Sequence, residues 1–175
     1  MRRMLTLFCA ALILFAPLLL AGRPAAAGPQ GKLVYIVAAD IVRGLFQATG
    51  TVCVQTNVFK LGEEVVWRVT VFDASNGADP AEDGKNLTAL TERGIKVTVY
   101  LENGMSFPLR YARHPGKGDP AAWLWATGWR IPDDFPTGRL KWWLVVTDKT
   151  GAFVRFDPIG FGTNLGAAPL IIEKR

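Results

Sequence analysis

Two tryptophan-bearing stretches, W-L-W-A-T-G-W at 123–129 and L-K-W-W-L-V-V at 140–146, constrain this chain more than any other feature. Trp123, Trp125, Thr127 and Trp129 share one parity, and Leu140, Trp142, Leu144 and Val146 do the same in the second stretch. Successive side chains of a strand point to opposite faces, so each set can line one wall of a buried core. Ile131-Pro132 and Phe135-Pro136 lie between them. Proline lacks the ladder donor and does not stand in a central strand, so this segment is a crossing. Asp148-Lys149-Thr150-Gly151 closes the second strand with turn residues.

The rest of the chain repeats that grammar. Residues 33–37 form a short apolar run, expected as an edge strand; 38–50 suits either a strand or a helical turn. Residues 51–59 are rich in β-formers. Over 64–72, Val65, Trp67, Val69 and Val71 alternate with Arg68 and Thr70, which predicts a strand with the apolar set inward. The polar stretch 73–94 is a loop, with one helical turn over 86–93. Its Asn86-Leu87-Thr88 triplet matches a glycosylation acceptor, a pattern that arises often by chance. Ile95, Val97, Val99 and Leu101 then alternate up to Asn103-Gly104, which predicts a two-residue hairpin returning through Met105, Phe107, Leu109 and Tyr111. Further strands are expected at 153–156 and 170–172. Seven to nine short strands with almost no helix make an all-β antiparallel sandwich.

Three segments carry a family resemblance. W-R-V-T-V-F-D-A-S-N-G at 67–77, the hairpin at 95–111, and I-P-D-D-F-P-T-G-x-L followed by V-V-T-D-K-T-G resemble small bacterial periplasmic immunoglobulin-like domains. The resemblance spans roughly residues 51–156 and consists of turn and strand motifs. It implies an immunoglobulin-like β-sandwich with an extracytoplasmic binding, spacing or accessory role, and it supplies no catalytic residues. The cysteine–tryptophan–cysteine pattern of antibody domains is absent.

The first 27 residues read as a signal peptide. Arg2 and Arg3 precede an apolar run over 4–20, and Ala25-Ala26-Ala27 offers a small-residue cleavage site. The expected mature protein is one domain, residues 28–175, periplasmic or secreted. An uncleaved leader is the alternative and the one route to a membrane. The whole chain has 20 Lys+Arg, 15 Asp+Glu and a formal charge of +5. Arg2, Arg3 and Arg23 lie in the leader and no acidic residue does, so the remainder has 17 basic against 15 acidic residues, or +2. With these charges scattered, nucleic acid is not an expected partner.

Chemistry has little to work with. The single histidine, His114, sits in a Pro/Gly loop, where a solvated side chain is the simple expectation. A Cys–His nucleophile from Cys53 and His114 has no support in spacing. Cys53, His114 and Met105 are too few ligands for structural zinc or blue copper, so no cofactor or metal is expected. Only Cys53 lies outside the leader, which excludes an intrachain disulfide and leaves burial, a redox or ligated thiol, or exposure. Burial is the expectation for a free cysteine. Strand parity turns it away from the core unless a bulge intervenes. The adjacent pairs Glu63-Glu64 and Asp133-Asp134 read as turn carboxylates, and a calcium site from Asp73, Asp133, Asp134 and Asp148 would require one shared end of the sandwich. Trp143 has the parity opposite to Trp142, which places it outward, where it can stack on a sugar or dock a partner; packing under the 73–94 loop is the rival reading. The expected function is a non-enzymatic periplasmic binding or accessory module acting through a protein partner. The alternatives are a glycan-binding module built on Trp143 and a thiol- or metal-dependent protein built on Cys53.

Overall fold

A computed structural model describes residues 34–114, 122–158 and 168–175. The expected leader with its cleavage point, and most of the loops at 112–120 and 158–169, lie outside the described residues. Among the described residues eleven strands and one helix form: β1 Tyr35–Arg43, β2 Val58–Lys60, β3 Glu64–Asp73, α1 Leu87–Arg93, β4 Lys96–Leu101, β5 Ser106–Pro108, β6 Arg110–Arg113, β7 Trp123–Arg130, β8 Gly138–Leu140, β9 Trp142–Thr147, β10 Phe153–Phe156 and β11 Leu170–Glu173. The first sheet has the order β1-β3-β7-β6 and the second β10-β9-β4-β5, all antiparallel. A third sheet, β2-β11-β8, pairs β11 parallel to β2 and antiparallel to β8.

The inward alternation of β3 is as expected: Val65, Trp67, Val69 and Val71 are buried. Trp125 and Trp129 on β7 extend that wall, and Trp142, Leu144 and Val146 on β9 with Val97, Val99 and Leu101 on β4 build the other. Trp67 joins the walls. Its ring lies 5.9 Å from Phe107 and 6.4 Å from Trp142 across the core, and 6.5 Å from Trp129 beside it. The fold is therefore β-rich and sandwich-like. Strands exceed the expected seven to nine because short pieces form the third sheet and the run from Met105 to Tyr111 breaks. Pro108 ends β5 in the second sheet, Leu109 is buried, and Arg110 begins β6 in the first.

Two local expectations are corrected and one left open is resolved. The β4–β5 connection is a three-residue loop, Glu102-Asn103-Gly104, because Tyr100 pairs with Ser106 and the Leu101 N–H reaches the Met105 carbonyl at 2.9 Å. Only Gly104 has positive φ (+89°), and the Asn103 carboxamide oxygen accepts from the Met105 N–H instead. A type I′ turn needs positive φ at both central residues. The ambiguous 38–50 segment is strand only to Arg43. Residues 51–57 are mostly turn, with one bridge between Val42 and Gln55.

At one end of the sandwich, α1 is held by polar contacts. Asn86 caps it by accepting from the Ala89 N–H. Arg93 pairs with Asp73, and the Lys149 ammonium donates to the Thr91 carbonyl. Beside them the Tyr35 hydroxyl donates to Asp148 at 2.7 Å. Burial, and then this carboxylate, push the Tyr35 phenol up to about 12.

Candidate functional site

The segment 44–57 leaves β1 and returns to its edge as a compact closed loop of the Ω kind. Its neck is backbone. Gly44 N–H donates to the Glu64 carbonyl at 2.8 Å, Cys53 N–H to Arg43 at 2.9 Å, Arg43 N–H to Val54 at 3.3 Å and Thr56 N–H to Ile41 at 3.1 Å. A Cβ on Gly44 would stand 2.2 Å from Glu64 Oε2, so the loop leaves β1 at a glycine.

The inside of the loop is fixed by Glu63, which is wholly buried. Its Oε1 accepts from both the amide and the hydroxyl of Thr49 at 2.6 Å, and its Oε2 from the Lys60 N–H at 2.8 Å. Arg43 Nε stands 3.1 Å from Oε1, while Arg43 Nη2 donates to the Val58 carbonyl. Burial alone would raise the Glu63 pKa. The Thr49 hydroxyl, the two backbone donors and Arg43 outweigh it and hold the carboxyl down at about 2. A buried carboxylate is tolerated only when paired and hydrogen-bonded, and this one is both.

Outside, the same loop exposes three apolar side chains. Leu45 is 78% exposed, Val54 50% and Phe46 43%. The Arg130 guanidinium lies 4.1 Å from the Phe46 ring centroid, and Arg175 donates to the Gln47 side chain at 2.7 Å. The loop thus sets exposed apolar side chains over an inner frame of hydrogen bonds. Sequence reasoning missed it, although an apolar Leu45-Phe46 pair between Gly44 and Gly50 is a readable signal.

Cys53 is exposed, which corrects the expectation of burial. It adopts φ +58° and, with Val54, opposes Arg43, forming a β-bulge whose first residue is left-handed. His114 follows β6 and is half-buried, its N–H bound to the Ala122 carbonyl. The β1 and β6 strands are opposite edges of the first sheet, so the fold does not bring Cys53 and His114 together. Met105 lies elsewhere again, at the β4–β5 loop, with its sulfur near Asn103. Among the described residues no group of three or more His, Cys, Asp or Glu can hold a metal ion. The calcium set is likewise divided. Asp73 and Asp148 sit with Arg93 and Tyr35 at one end of the sandwich, whereas Asp133 lies near Gly62, by the start of β3.

Trp143 faces outward on the second sheet and is half-buried. Tyr100 on β4 stacks on it at 5.9 Å and 10°, and Arg155 on β10 lies over it at 4.6 Å. Strands β4 and β10 flank β9 on its two sides, so both ring faces are occupied. The 73–94 loop packs elsewhere, on Trp123, whose N–H donates to Asp83.

No protein-family model matches this chain, and comparisons with the curated proteins and with the solved structures find no match.

Proposed function

We propose that this chain is an exported, non-enzymatic binding module of the periplasmic immunoglobulin-like kind its sequence resembles, and that it engages a protein partner through the 44–57 loop. The observation that carries this reading is the pairing of exposed apolar side chains on the loop, Leu45, Phe46 and Val54, with the wholly buried Glu63 that holds it. Ordering a loop on binding costs affinity, and a loop already held in one shape avoids that cost. Exposed apolar side chains mark interaction surfaces and aromatic residues are enriched in interface cores, which suits Phe46 with Leu45 beside it to a protein surface. The glycan alternative rests on Trp143, which has no free ring face to offer a sugar. The thiol or metal alternative rests on Cys53, which belongs to no ligand cluster among the described residues.

The test is site-specific photocrosslinking in the cell envelope, with a benzophenone amino acid at Leu45. One defined protein adduct is expected, abolished by adding Phe46→Asp and Val54→Asp. Adducts to lipid alone, or an adduct that survives both substitutions, would refute the reading.

A further inference from the structure

Strand β1 is an edge of the first sheet, and half of that edge is open. Backbone groups of alternate residues face opposite sides of a strand. Even-numbered residues of this stretch face β3: the Val34 carbonyl accepts from Ala74, and the Gly44 N–H donates to Glu64. Odd-numbered residues face away from it, and the returning loop has taken the last two, Ile41 and Arg43. Tyr35, Val37 and Ala39 remain, their outward N–H and C=O groups without a hydrogen-bond partner among the described residues.

The other edges of the two four-stranded sheets are guarded in ways this one is not. Strand β6 carries Arg110 and Arg113 within four residues, β5 is three residues ending in Pro108, and β10 is four residues with Arg155 among them. Short length, charge and proline are the devices that stop an edge from pairing. The free half of β1 reads Tyr-Ile-Val-Ala-Ala, with no charge, proline or bulge. At its Ala39 end the free half meets a cleft of about 570 Å³ that runs from Ala39 and Ile41 to Trp142 and Phe156 of the facing sheet, with Gln55 and Asn57 among its polar lining.

We propose that the partner adds an extended segment to β1 at Tyr35–Ala39, as a fifth strand of the first sheet, and seats one large apolar side chain in the cleft. Strand addition draws affinity from main-chain bonds and specificity from pockets for alternate side chains, and both are present here. A second copy pairing β1 to β1 fits less well. Its inward side chains Tyr35 and Ile41 are already buried in their own core, which leaves none for the cleft. The occupant is therefore a segment of another protein, alternating apolar and polar residues, and this inference rests on the reading that the partner is a protein.

The probe is a phage-displayed library of linear dodecapeptides selected against the immobilised full chain. Selected peptides are expected to alternate in polarity and to protect the Val37 and Ala39 amides from hydrogen exchange. Val37→Pro should weaken them at least tenfold, because it removes an outward N–H and leaves the β3 ladder intact. The protection measurement is made on the unmodified chain, so it decides even if that variant folds poorly. Recovery of no peptide, binding without protection at Val37 and Ala39, or a loss under twofold in a folded Val37→Pro variant would overturn strand addition. The Leu45 crosslink would still stand in those cases. Peptide addition at β1 with no protein crosslink at Leu45 would instead overturn the loop's role alone.

Discussion

Arg43 Nε stands 3.1 Å from Oε1 of Glu63, a carboxylate with no exposure to solvent. The pair lies behind the neck of the 44–57 loop, so the loop's shape and the ionisation of Glu63 are linked. Breaking a buried ion pair by removing one partner costs about 3–5 kcal/mol, since the other charge is left uncompensated. Glu63→Gln should destabilise the domain at pH 7 by roughly 3 kcal/mol in urea unfolding. Glu63 binds its proton less readily in the folded state, at about 2 against an ordinary 4.5. Its contribution is therefore fully present above the unfolded value and is lost as pH falls from about 4.5 towards 2. Stability measured across that window should fall less steeply in Glu63→Gln than in the native chain. Identical slopes would mean that Glu63 is not the carboxylate responsible.

Two glycines with similar backbone angles should respond differently to alanine. Gly84 has φ +82°, and a Cβ there would stand 2.2 Å from Cε2 of Trp123. Gly104 has φ +89° and nothing within 4 Å. Both changes incur the left-handed penalty of about 1–2 kcal/mol, but only the first also collides with a packed ring. Gly84→Ala should cost roughly 3–4 kcal/mol and Gly104→Ala roughly 1–2 kcal/mol in thermal or urea melts. Equal costs would show that the 79–84 loop gives way without loss.

What could be read from the sequence was whatever depends on a local period. The alternation of Val65, Trp67, Val69 and Val71, and the opposed faces of Trp142 and Trp143, follow from a two-residue repeat. So did the inward place of Trp129 and the helical turn near Asn86. What could not be read depends on contacts distant in sequence. Glu63 beside Glu64 looks like a turn carboxylate; its burial is created by Thr49 and Arg43, which reach it only after the loop has folded. The open half of β1 is a property of sheet order, which no strand announces about itself. At Cys53 the general habit of free cysteines to be buried misled, whereas strand parity had turned the residue outward, and it is exposed.

That residue offers a prediction with an unusual sign. Cys53 occupies the first position of its bulge at φ +58°, a place where glycine is at ease and an L side chain is strained. Relieving the strain is worth about 1–2 kcal/mol, and the greater freedom of a glycine in the unfolded chain takes part of it back. Cys53→Gly should raise stability by about 0.5–1 kcal/mol under reducing conditions. Cys53→Val, β-branched, should lower it. A stability loss on Cys53→Gly would mean that the thiol makes a stabilising contact that outweighs the strain.

Trp129 and Trp143 stand on opposite sides of a sheet wall, and their loss should register in different measurements. Trp129 is buried, its ring 5.1 Å from Phe135, 5.9 Å from Phe107 and 6.5 Å from Trp67. Truncating a buried aromatic costs about 3–5 kcal/mol, a large share of the 5–15 kcal/mol that holds a typical domain together. Trp129→Ala should leave the domain unfolded or nearly so at 37 °C. Trp143 is half-buried between Tyr100 and Arg155 on the outer face. An aromatic pair and an exposed cation–π contact are each worth about 0.5–1.5 kcal/mol, so Trp143→Ala should cost roughly 1–2 kcal/mol and leave a folded protein. Urea melts of the two variants separate them, and a loss of 3 kcal/mol or more at Trp143 would place its ring in the core. The folded Trp143→Ala variant then carries a second readout. With partner engagement proposed at Leu45 and β1, its crosslinking yield at Leu45 should equal that of the native chain, and a marked drop would move the binding surface to the outer face of the second sheet.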